Sequence, residues 1–271
     1  MEPTHPIDFE TNTPEHVLLR REGAIATITL NRPERRNALS YAANRRLHAL
    51  WEEIDADPTI RAVILTSADC GTFCAGMDLK EAAELRARTG QDILQLLQDP
   101  FYERMRTVRV PIIAAMTGHF TAAGMVLAAN ADLRVALAGT SGGITEARVG
   151  RGTPWAAPMV AMLPLAVLME LATTAHPLPV ERLHALGFIN VLAATPAAVR
   201  EKAADYARAI AANAPLSVAA AKAGLLASVD LGAHAGYALS KAQHREVYAS
   251  EDAVEGPRAF AEKRAPRWQA R

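Results

Sequence analysis

The first half of the chain alternates short apolar runs with polar segments, and the spacing of the apolar residues predicts its strands. Residues 16–21 and 24–30 flank a turn at Glu22-Gly23, and β-branched residues recur at every second position of the later segment. This pattern predicts a β-hairpin. Three further apolar runs predict strands, the first two of the kind that is covered on both faces of a sheet. These runs are Ala62–Leu65, Val110–Ala115 and Leu133–Leu137.

Apolar residues at spacings of three and four predict the helices between these strands. Ser40 has the side chain of a helix cap, and Asp57-Pro58 ends the segment that follows it. One apolar face of that segment consists of Leu47, Leu50, Trp51 and Ile54. A helical stretch from about Leu79 to Thr107 and a helix that begins near Gly124 follow. Strands that alternate with helices predict an α/β fold with crossover connections.

Beyond Pro158 the pattern becomes almost entirely helical, and only Asn190–Leu192 interrupts it as a strand. Besides two helices towards the terminus, the predicted helices are 159–173, 180–186, 196–213 and 216–227. We expect three regions along the chain. They are a flexible N-terminal segment (1–13), an α/β core that carries the functional site (14–195) and a helical C-terminal region (196–271).

Composition and charge exclude several classes of protein. Of the 271 residues, 50% are hydrophobic and 21% are charged, and no apolar stretch approaches the roughly 18 residues that a membrane span needs. The 29 basic residues balance the 29 acidic ones, so the chain lacks the overall field that draws a non-specific binder to nucleic acid or to an anionic membrane. We therefore expect neither partner, and a polyanionic ligand would have to meet local cations.

The N-terminal segment bears on where the protein is located, and the cysteines bear on its redox and metal chemistry. Residues 1–16 mix acids with prolines and lack the cationic start and apolar stretch of a secretory signal, so we expect a cytoplasmic protein. Cys70 and Cys74 have no Cys/His pair elsewhere at metal-ligand spacing. We expect ordinary thiols in a reducing compartment and no metal site.

Two segments of small residues join a predicted buried strand to a helix. Thr72–Lys80 follows the first of these strands, and Thr117–Gly124 follows the next. At a helix start the backbone N–H groups have no intrahelical partner and carry the positive end of the helix dipole, so they suit an oxygen that acquires negative charge. Two such corners on neighbouring strands can form an oxyanion hole. The alternative is that Gly76 only permits a turn and Asp78 only caps the helix.

Five segments resemble the enoyl-CoA hydratase/isomerase (crotonase) family in their order and spacing. They are Arg36–Leu39, Phe73–Lys80, Gly118–Gly124, Glu146 and Ala259–Arg264, and the similarity extends over residues 14–267. The resemblance implies a crotonase-like (ClpP/crotonase) α/β fold, which is a spiral of β-β-α units with a helical C-terminal region. It also implies assembly into homotrimers, often paired into hexamers.

The same resemblance implies an acyl-CoA substrate and its contacts. The thioester carbonyl would accept hydrogen bonds from the backbone N–H groups of Met77 and Ala123, which would stabilise an enolate-like oxygen. Coenzyme A would enter as part of the substrate, with no prosthetic group, metal, flavin or nicotinamide. The cations near these loops also include Arg32 and Arg35. The residues implied to bind the substrate and its coenzyme A are Arg36, Ala38, Ala75, Asp78, Leu79 and Lys80, with Phe260 and Lys263 from the final helix of the same or a neighbouring subunit.

Many hydratases of the family carry two glutamates, and this chain keeps one of them. The position of the first is Val126, which cannot transfer a proton, and the second is Glu146. The resemblance implies that Glu146 is the proton-transfer group of a hydratase-type lyase. An enoyl-CoA isomerase, a hydratase-lyase of aromatic acyl-CoAs and a homologue that binds acyl-CoA without turnover are the alternatives. In a purely structural interpretation, Glu146 would be a surface acid paired with Arg148 or Arg151.

Two further motifs point to other chemistry. His119 could act as a base, although a histidine beside a glycine is more often a packed or hydrogen-bonded side chain. Gly139–Gly143 matches the G-x-S-x-G pattern that places the nucleophile of a serine hydrolase, here Ser141, at a strand-to-helix turn. A glycine-punctuated segment rather than a helical one follows, which argues against this class.

Overall fold

The computed structural model describes residues 14–271, in which two β-sheets take up strands alternately along the chain. The predicted flexible segment 1–13 lies outside the described residues. The strands are β1 (Val17–Glu22), β2 (Ile25–Leu30), β3 (Ala62–Ser67), β4 (Thr72–Cys74), β5 (Ile112–Met116), β6 (His119–Thr121), β7 (Leu133–Leu137), β8 (Ser141–Gly143), β9 (Leu178–Pro179) and β10 (Val191–Ala193). The helices are α1 (Tyr41–Ala56), α2 (Leu79–Thr89), α3 (Ile93–Leu96), α4 (Arg104–Thr107), α5 (Ala123–Asn130), α6 (Leu165–Thr174), α7 (Val180–Ala185), α8 (Pro196–Ala211), α9 (Pro215–Leu231), α10 (Ala233–Ala249) and α11 (Glu251–Ala261).

The predicted hairpin and first helix are confirmed. β1 and β2 pair antiparallel, and α1 begins after Ser40, whose hydroxyl accepts a hydrogen bond from the N–H of Ala43 at 3.0 Å. This bond satisfies one of the donors that a helix start leaves unpaired. The predicted apolar face is fully buried, and it consists of Leu47, Leu50, Trp51 and Ile54.

Successive strands are shared between the two sheets, which gives the chain a spiral course. The larger sheet has the order β1-β2-β3-β5-β7-β10, and the smaller has the order β4-β6-β8-β9. β3, β5 and β7 are parallel neighbours, and so are β4, β6 and β8, which follow them in the sequence. The predicted α/β spiral of β-β-α units is therefore confirmed. It brings together the two corners that lead from β4 to α2 and from β6 to α5.

The central strands are buried along their whole length, as their apolar runs predict. Side chains of β3 alternate between two hydrophobic clusters: Val63 and Leu65 enter the main one, whereas Ala62 and Ile64 enter a second one formed with α8. Because α8 begins at Pro196, the first helix of the predicted C-terminal region covers one face of the larger sheet. The division of the chain at residue 195 stays a prediction.

The predicted helix from Leu79 to Thr107 is wrong in length, since the segment forms the three helices α2, α3 and α4. Gly90 ends α2 in a left-handed conformation with φ 72°, and a capping box at Asp92 starts α3. The helix predicted over 159–173 is likewise divided, into a 3₁₀ helix at Pro154–Ala161 and α6. Local breaking and capping residues outweigh the helical periodicity in both places.

The sequence did not predict the smaller sheet. β4, β6, β8 and β9 have only two or three residues each, which is too few for a periodic pattern. β4 lies within the Thr72–Lys80 segment, which the sequence predicted only as a connection between a strand and a helix. These strands form because neighbouring strands supply hydrogen-bond partners, and the spiral brings those neighbours together.

The longest helices of the C-terminal region, α8, α9 and α10, have 16, 17 and 17 residues. Among residues 14–271, no single helix is both long and apolar enough to cross a membrane. α8 and α9 reach that length and composition only as a pair, and the two are bent by 111°.

Candidate active site

A cavity of about 400 Å³ is lined by the corner after β4, the start of α5 and the segment that follows β8. Most of the lining side chains are apolar, and the charged ones are Glu146, Arg148 and Arg151. Of the residues predicted for the site, those that line the cavity are Ala75, Met77, Leu79, Ala123 and Glu146. Those that lie outside its lining are Arg36, Ala38, Asp78, Lys80, Phe260 and Lys263.

Two backbone amides in the cavity wall are unpaired. The N–H groups of Met77 and Ala123 donate no hydrogen bond to any residue of the described chain. Leu39 fixes the chain on both sides of Met77, because its N–H donates to the Gly76 carbonyl at 2.8 Å and its carbonyl accepts from the Asp78 N–H at 2.9 Å. Ala123 opens α5, where the first amides have no intrahelical partner. Two amide donors are therefore available to a ligand.

Gly76 allows the two corners to approach each other. Its φ is +107°, and a Cβ at this position would lie 2.9 Å from the Cβ of Ala122 and 3.7 Å from the nitrogen of Ala123. Both the backbone conformation and the space therefore require glycine. The corner that carries the amide of Met77 is thus packed against the start of α5, where the amide of Ala123 lies.

Ala122, which precedes α5, adopts φ 50° and ψ −119°, a conformation that residues with a Cβ rarely adopt. Such strain in the folded protein lowers the free energy of unfolding by about 1–3 kcal/mol. Glycine in place of alanine relieves the strain but lowers the free energy of unfolding by about 0.4–1 kcal/mol, because it gives the unfolded chain more freedom. We expect Ala122→Gly to raise the free energy of unfolding by about 1 kcal/mol, measured by urea denaturation. Ala128→Gly, in the middle of α5, is the control and should lower it by about 1 kcal/mol. A less stable Ala122→Gly variant would contradict the strain.

Glu146 begins a 3₁₀ turn in the cavity wall and is only 9% exposed. Its Oε1 accepts a hydrogen bond from the indole N–H of Trp155 at 3.2 Å, while its buried Oε2 has no hydrogen-bond partner among the described residues. Burial raises the pKa of Glu146 above its ordinary value, and the nearby backbone N–H groups of Glu146 and Thr145, together with the Trp155 indole, offset this only in part. A buried carboxyl group with a raised pKa and one unpaired oxygen in a cavity is typical of a proton-transfer site.

Neither arginine of the same turn pairs with Glu146, contrary to the purely structural interpretation. Arg151 forms a bidentate ion pair with Asp92, and Arg148 forms no ion pair within residues 14–271. Val126 lines the cavity from α5, so the position of the family's first glutamate is apolar here. Among the lining residues of the described chain, Glu146 is thus the sole carboxylate.

Arg36 and Lys80 are exposed and lie on either side of the Ala75–Leu79 segment. The carbonyl of Arg36 accepts a hydrogen bond from the Ala75 N–H at 3.2 Å, which ties its loop to the cavity wall. Neither side chain forms an ion pair with an acid in the part of the chain that the structure describes. Both positive charges are therefore available to an anionic ligand near the cavity.

Arg32, which the sequence grouped with these cations, has a different role. Its guanidinium pairs with Asp78 at 3.0 Å and donates to the carbonyl of Ala38 at 2.8 Å. Asp78 also caps α2 by accepting the N–H of Lys80 at 3.2 Å. Within this subunit, Arg32, Asp78 and Ala38 hold the loop together, and the capping role considered for Asp78 is confirmed.

The residues predicted on the final helix lie apart from the cavity. Phe260 is 87% exposed on α11, and Lys263 follows that helix with φ 54°. Neither lines the cavity. Within one subunit, these two residues are therefore not brought to the site.

The serine-hydrolase alternative lacks its geometry. Ser141 begins strand β8 rather than lying at a strand-to-helix turn, and it does not line the cavity. His119 is exposed on β6, and its Nδ1 accepts the N–H of Ser141 at 3.0 Å and lies 2.9 Å from the Ser141 hydroxyl. His119 is therefore a hydrogen-bonded surface residue, and a role as a base in this cavity is excluded by its position.

The cysteines are free, with Cys70 exposed and Cys74 buried. Burial raises the pKa of Cys74 to about 12, so its thiol stays protonated at neutral pH. Across residues 14–271, no group of three or more His, Cys, Asp or Glu side chains is placed to hold a metal ion.

The sequence interpretation missed Trp155 and Asp92. Trp155 lies in the 3₁₀ helix after the glycine-punctuated segment, and only the folded chain brings its indole to Glu146. The sequence signal that could have found Trp155 is a large aromatic residue within a segment of glycines and prolines. Asp92 gave a capping signal, but its pairing with Arg151 joins segments that are distant in sequence.

The interleaved sheets, with two free amides where their corners meet, define a protein of the crotonase fold. Solved structures agree: an enoyl-CoA hydratase from Bacillus anthracis has a TM-score of 0.87 at 27% identity, with 94% of this chain and 100% of that one covered. An enoyl-CoA hydratase from Mycobacterium tuberculosis H37Rv has a TM-score of 0.84 at 36% identity, with 95% and 100% covered. The chain belongs to the enoyl-CoA hydratase/isomerase family, whose sequence model matches residues 20–271.

Relatives in this family carry hydratase names. Enoyl-CoA hydratase EchA19 of Mycobacterium tuberculosis is 34% identical over 263 residues, which cover 94% of this chain and 96% of the relative. The (E)-benzylidenesuccinyl-CoA hydratase of Thauera aromatica is 32% identical over 259 residues, which cover 92% and 97%. The similarity therefore extends over nearly the whole length of each protein.

Proposed function

We propose that the protein catalyses the addition of water to an enoyl-CoA, or its removal, with Glu146 as the single proton-transfer group. The observation that carries the proposal is the unpaired Oε2 of Glu146 in one cavity with the unpaired amides of Met77 and Ala123. The hydratase names of relatives at 34% and 32% identity support this reaction type.

The amides of Met77 and Ala123 would bind the thioester carbonyl oxygen. Negative charge moves onto this oxygen as an enolate develops, and fixed donors in a largely apolar cavity stabilise that charge without reorganising. The Cβ atom of the enoyl group becomes electrophilic and the hydrogen on Cα of the hydrated product becomes acidic. Because both donors are backbone groups, the side chain of Met77 affects only the shape of the cavity.

The ionised Oε2 of Glu146 would take a proton from water as the hydroxyl group adds to Cβ, and would deliver a proton to Cα. The carboxylate ends the cycle in the ionisation state in which it began, so the reaction needs no second acid. Val126 leaves no other carboxylate in the lining to divide the task. Proton uptake from water and proton delivery to Cα then both fall to this one group.

The coenzyme A phosphates would bind Arg36 and Lys80. These side chains are exposed, unpaired within the described residues and adjacent to the loop that carries Met77. Phe260 and Lys263 would add contacts from a neighbouring subunit, because neither lies at the cavity of its own subunit.

We expect kcat/KM to fall as pH drops through the raised pKa of Glu146. At lower pH the carboxylate is protonated and cannot accept the proton of water. Hydration neither consumes nor releases a proton overall, so kcat/KM for dehydration keeps a constant ratio to that for hydration and falls over the same range. Profiles of both directions check this, and an acidic limb at the ordinary pKa of a glutamate would contradict the role of burial.

Isomerisation and action on aromatic acyl groups are alternatives within the same site. A single carboxylate suits transfer of a proton between two carbons, and Phe101 and Trp155 give the cavity flat apolar walls. Incubation with short, long and aromatic 2-enoyl-CoAs and with 3-enoyl isomers separates them by mass and ultraviolet absorbance. A gain in mass equal to one water molecule indicates hydration, and a shifted double bond at constant mass indicates isomerisation. No turnover of any of them would favour a non-catalytic acyl-CoA binder.

The proposed function includes assembly into homotrimers, alone or paired. Large apolar side chains are exposed on helices of the C-terminal half, and these include Leu165, Met169, Leu225, Tyr237, Tyr248 and Phe260. Exposed apolar area of this kind is typical of subunit interfaces. Light scattering should give three or six times the 29.0 kDa mass of the chain, and a monomer at micromolar concentration would contradict the assembly.

A further inference from the structure

We propose that Trp155 is a positioning residue for Glu146, whose indole N–H fixes Oε1 and leaves Oε2 as the one oxygen that exchanges protons. The inference rests on the proposed function of Glu146. Its basis is the pairing of the two carboxylate oxygens: Oε1 lies 3.2 Å from the indole nitrogen, and Oε2 has no partner among the described residues.

Trp155 is itself held in place. Its ring is partly buried against the main hydrophobic cluster, and it lies in the 3₁₀ helix Pro154–Ala161, which begins with a proline. The backbone of Glu146 is held as well, because its carbonyl accepts the N–H of Arg151 at 3.0 Å. The indole therefore meets Glu146 as a donor with a fixed direction.

A fixed carboxylate matters more here than in a site with two acids. The terminal torsion of a glutamate is broad and two-fold, so a free carboxylate exchanges its two oxygens by rotation. The side chain of Val126, which also lines the cavity, has no hydrogen-bond donor, and Arg148 and Arg151 do not pair with Glu146. Among the described residues, the indole is thus the side-chain donor that selects which oxygen meets the reacting carbon.

The test replaces Trp155 alone with 3-benzothienylalanine, which keeps the shape of the ring and has sulfur in place of the N–H. Loss of a hydrogen bond that favours the ionised form should move the acidic limb of kcat/KM upwards by about one pH unit. It should also lower kcat at the plateau about tenfold, with KM changed less than twofold. Trp155→Phe, which also lacks the donor, should give the same movement of the limb.

Trp268 provides the matched control, because its indole N–H donates to the carbonyl of Ala212 at 2.7 Å away from the cavity. Trp268→Phe loses an indole hydrogen bond and should leave the limb in place. An unmoved limb in both Trp155 variants, or an effect confined to KM, would overturn the positioning role and indicate packing alone.

A second measurement needs no turnover. The fluorescence of the protein minus that of Trp155→Phe reports the indole of Trp155. We expect this difference to change with pH as Glu146 ionises, and to become independent of pH over that range when Glu146→Gln is introduced in both proteins. An active enzyme without this titration overturns the inference. A protein that shows the titration but turns over no thioester overturns the proposed function instead, so the two failures are distinguishable.

Discussion

Glu146→Gln is expected to lower kcat/KM for the enoyl-CoA substrate by about 10³-fold, because the amide cannot take up or deliver a proton. General acid–base catalysis contributes about 10²–10⁴-fold, and one group would carry all of it here. Glutamine has the size of glutamate, and its amide oxygen can accept the hydrogen bond from Trp155, so the cavity should keep its shape. Steady-state kinetics give the loss, and calorimetry with a saturated acyl-CoA should show binding within about threefold of the unmodified protein.

Glu22→Gln serves as the control for this change. Glu22 ends β1 on the exposed side of the hairpin and pairs with Arg20, far from the cavity lining in sequence and outside it in the structure. The activity of the Glu22→Gln variant should stay within about twofold of that of the unmodified protein. If Glu146→Gln also retained activity within about fivefold, Glu146 would not be the proton-transfer group.

Gly76→Ala should reduce kcat by about 10²–10³-fold, the loss that follows removal of one donor from an oxyanion hole. A Cβ at residue 76 would meet the Cβ of Ala122 at 2.9 Å, so the corner has to move. That movement displaces the amide of Met77 relative to the amide of Ala123. Kinetics with a saturating thioester measure the loss, and KM should change much less because the phosphate contacts proposed for Arg36 and Lys80 are side-chain contacts that do not use the amide of Met77.

Gly90→Ala separates backbone strain from loss of the donor. Gly90 also has a positive φ, +72°, but a Cβ there would have no atom within 4 Å. Both variants should lower the melting temperature, measured by circular dichroism, and only Gly76→Ala should lose most of its kcat. Equal activity losses would mean that instability rather than the oxyanion hole explains the effect.

Much of the fold follows from local patterns. The hairpin shows a period of two, α1 shows helical spacing, and the strands β3, β5 and β7 stand out as apolar runs; the structure confirms all of them. The smaller sheet has strands of only two or three residues, which form because the spiral supplies partners from distant segments. The interruptions after Gly90 and before α6 depend on capping and helix-breaking residues that compete with the helical pattern.

The candidate site divides in the same way. The small residues of the two corners, the valine at 126 and the glutamate at 146 are visible in the sequence. The structure brings Ala75, Ala122 and Ala123 of the corners to one cavity with Val126 and Glu146. Arg32 shows the limit of such inference, because its positive charge is visible but its pairing with Asp78 is not. The number of basic residues near these loops in the sequence does not show which of them form ion pairs with acidic residues and which are available to phosphates.

By itself, the sequence determined the hairpin, α1, the central strands of the larger sheet and the balance of charge, since these depend on residue type and on spacing over a few positions. The tertiary structure decided which amides remain unpaired, that Glu146 escapes the neighbouring arginines and that an indole holds one of its oxygens. Each of these depends on contacts between residues far apart in the chain or on backbone directions at a corner, and only packing of the whole chain fixes their distances.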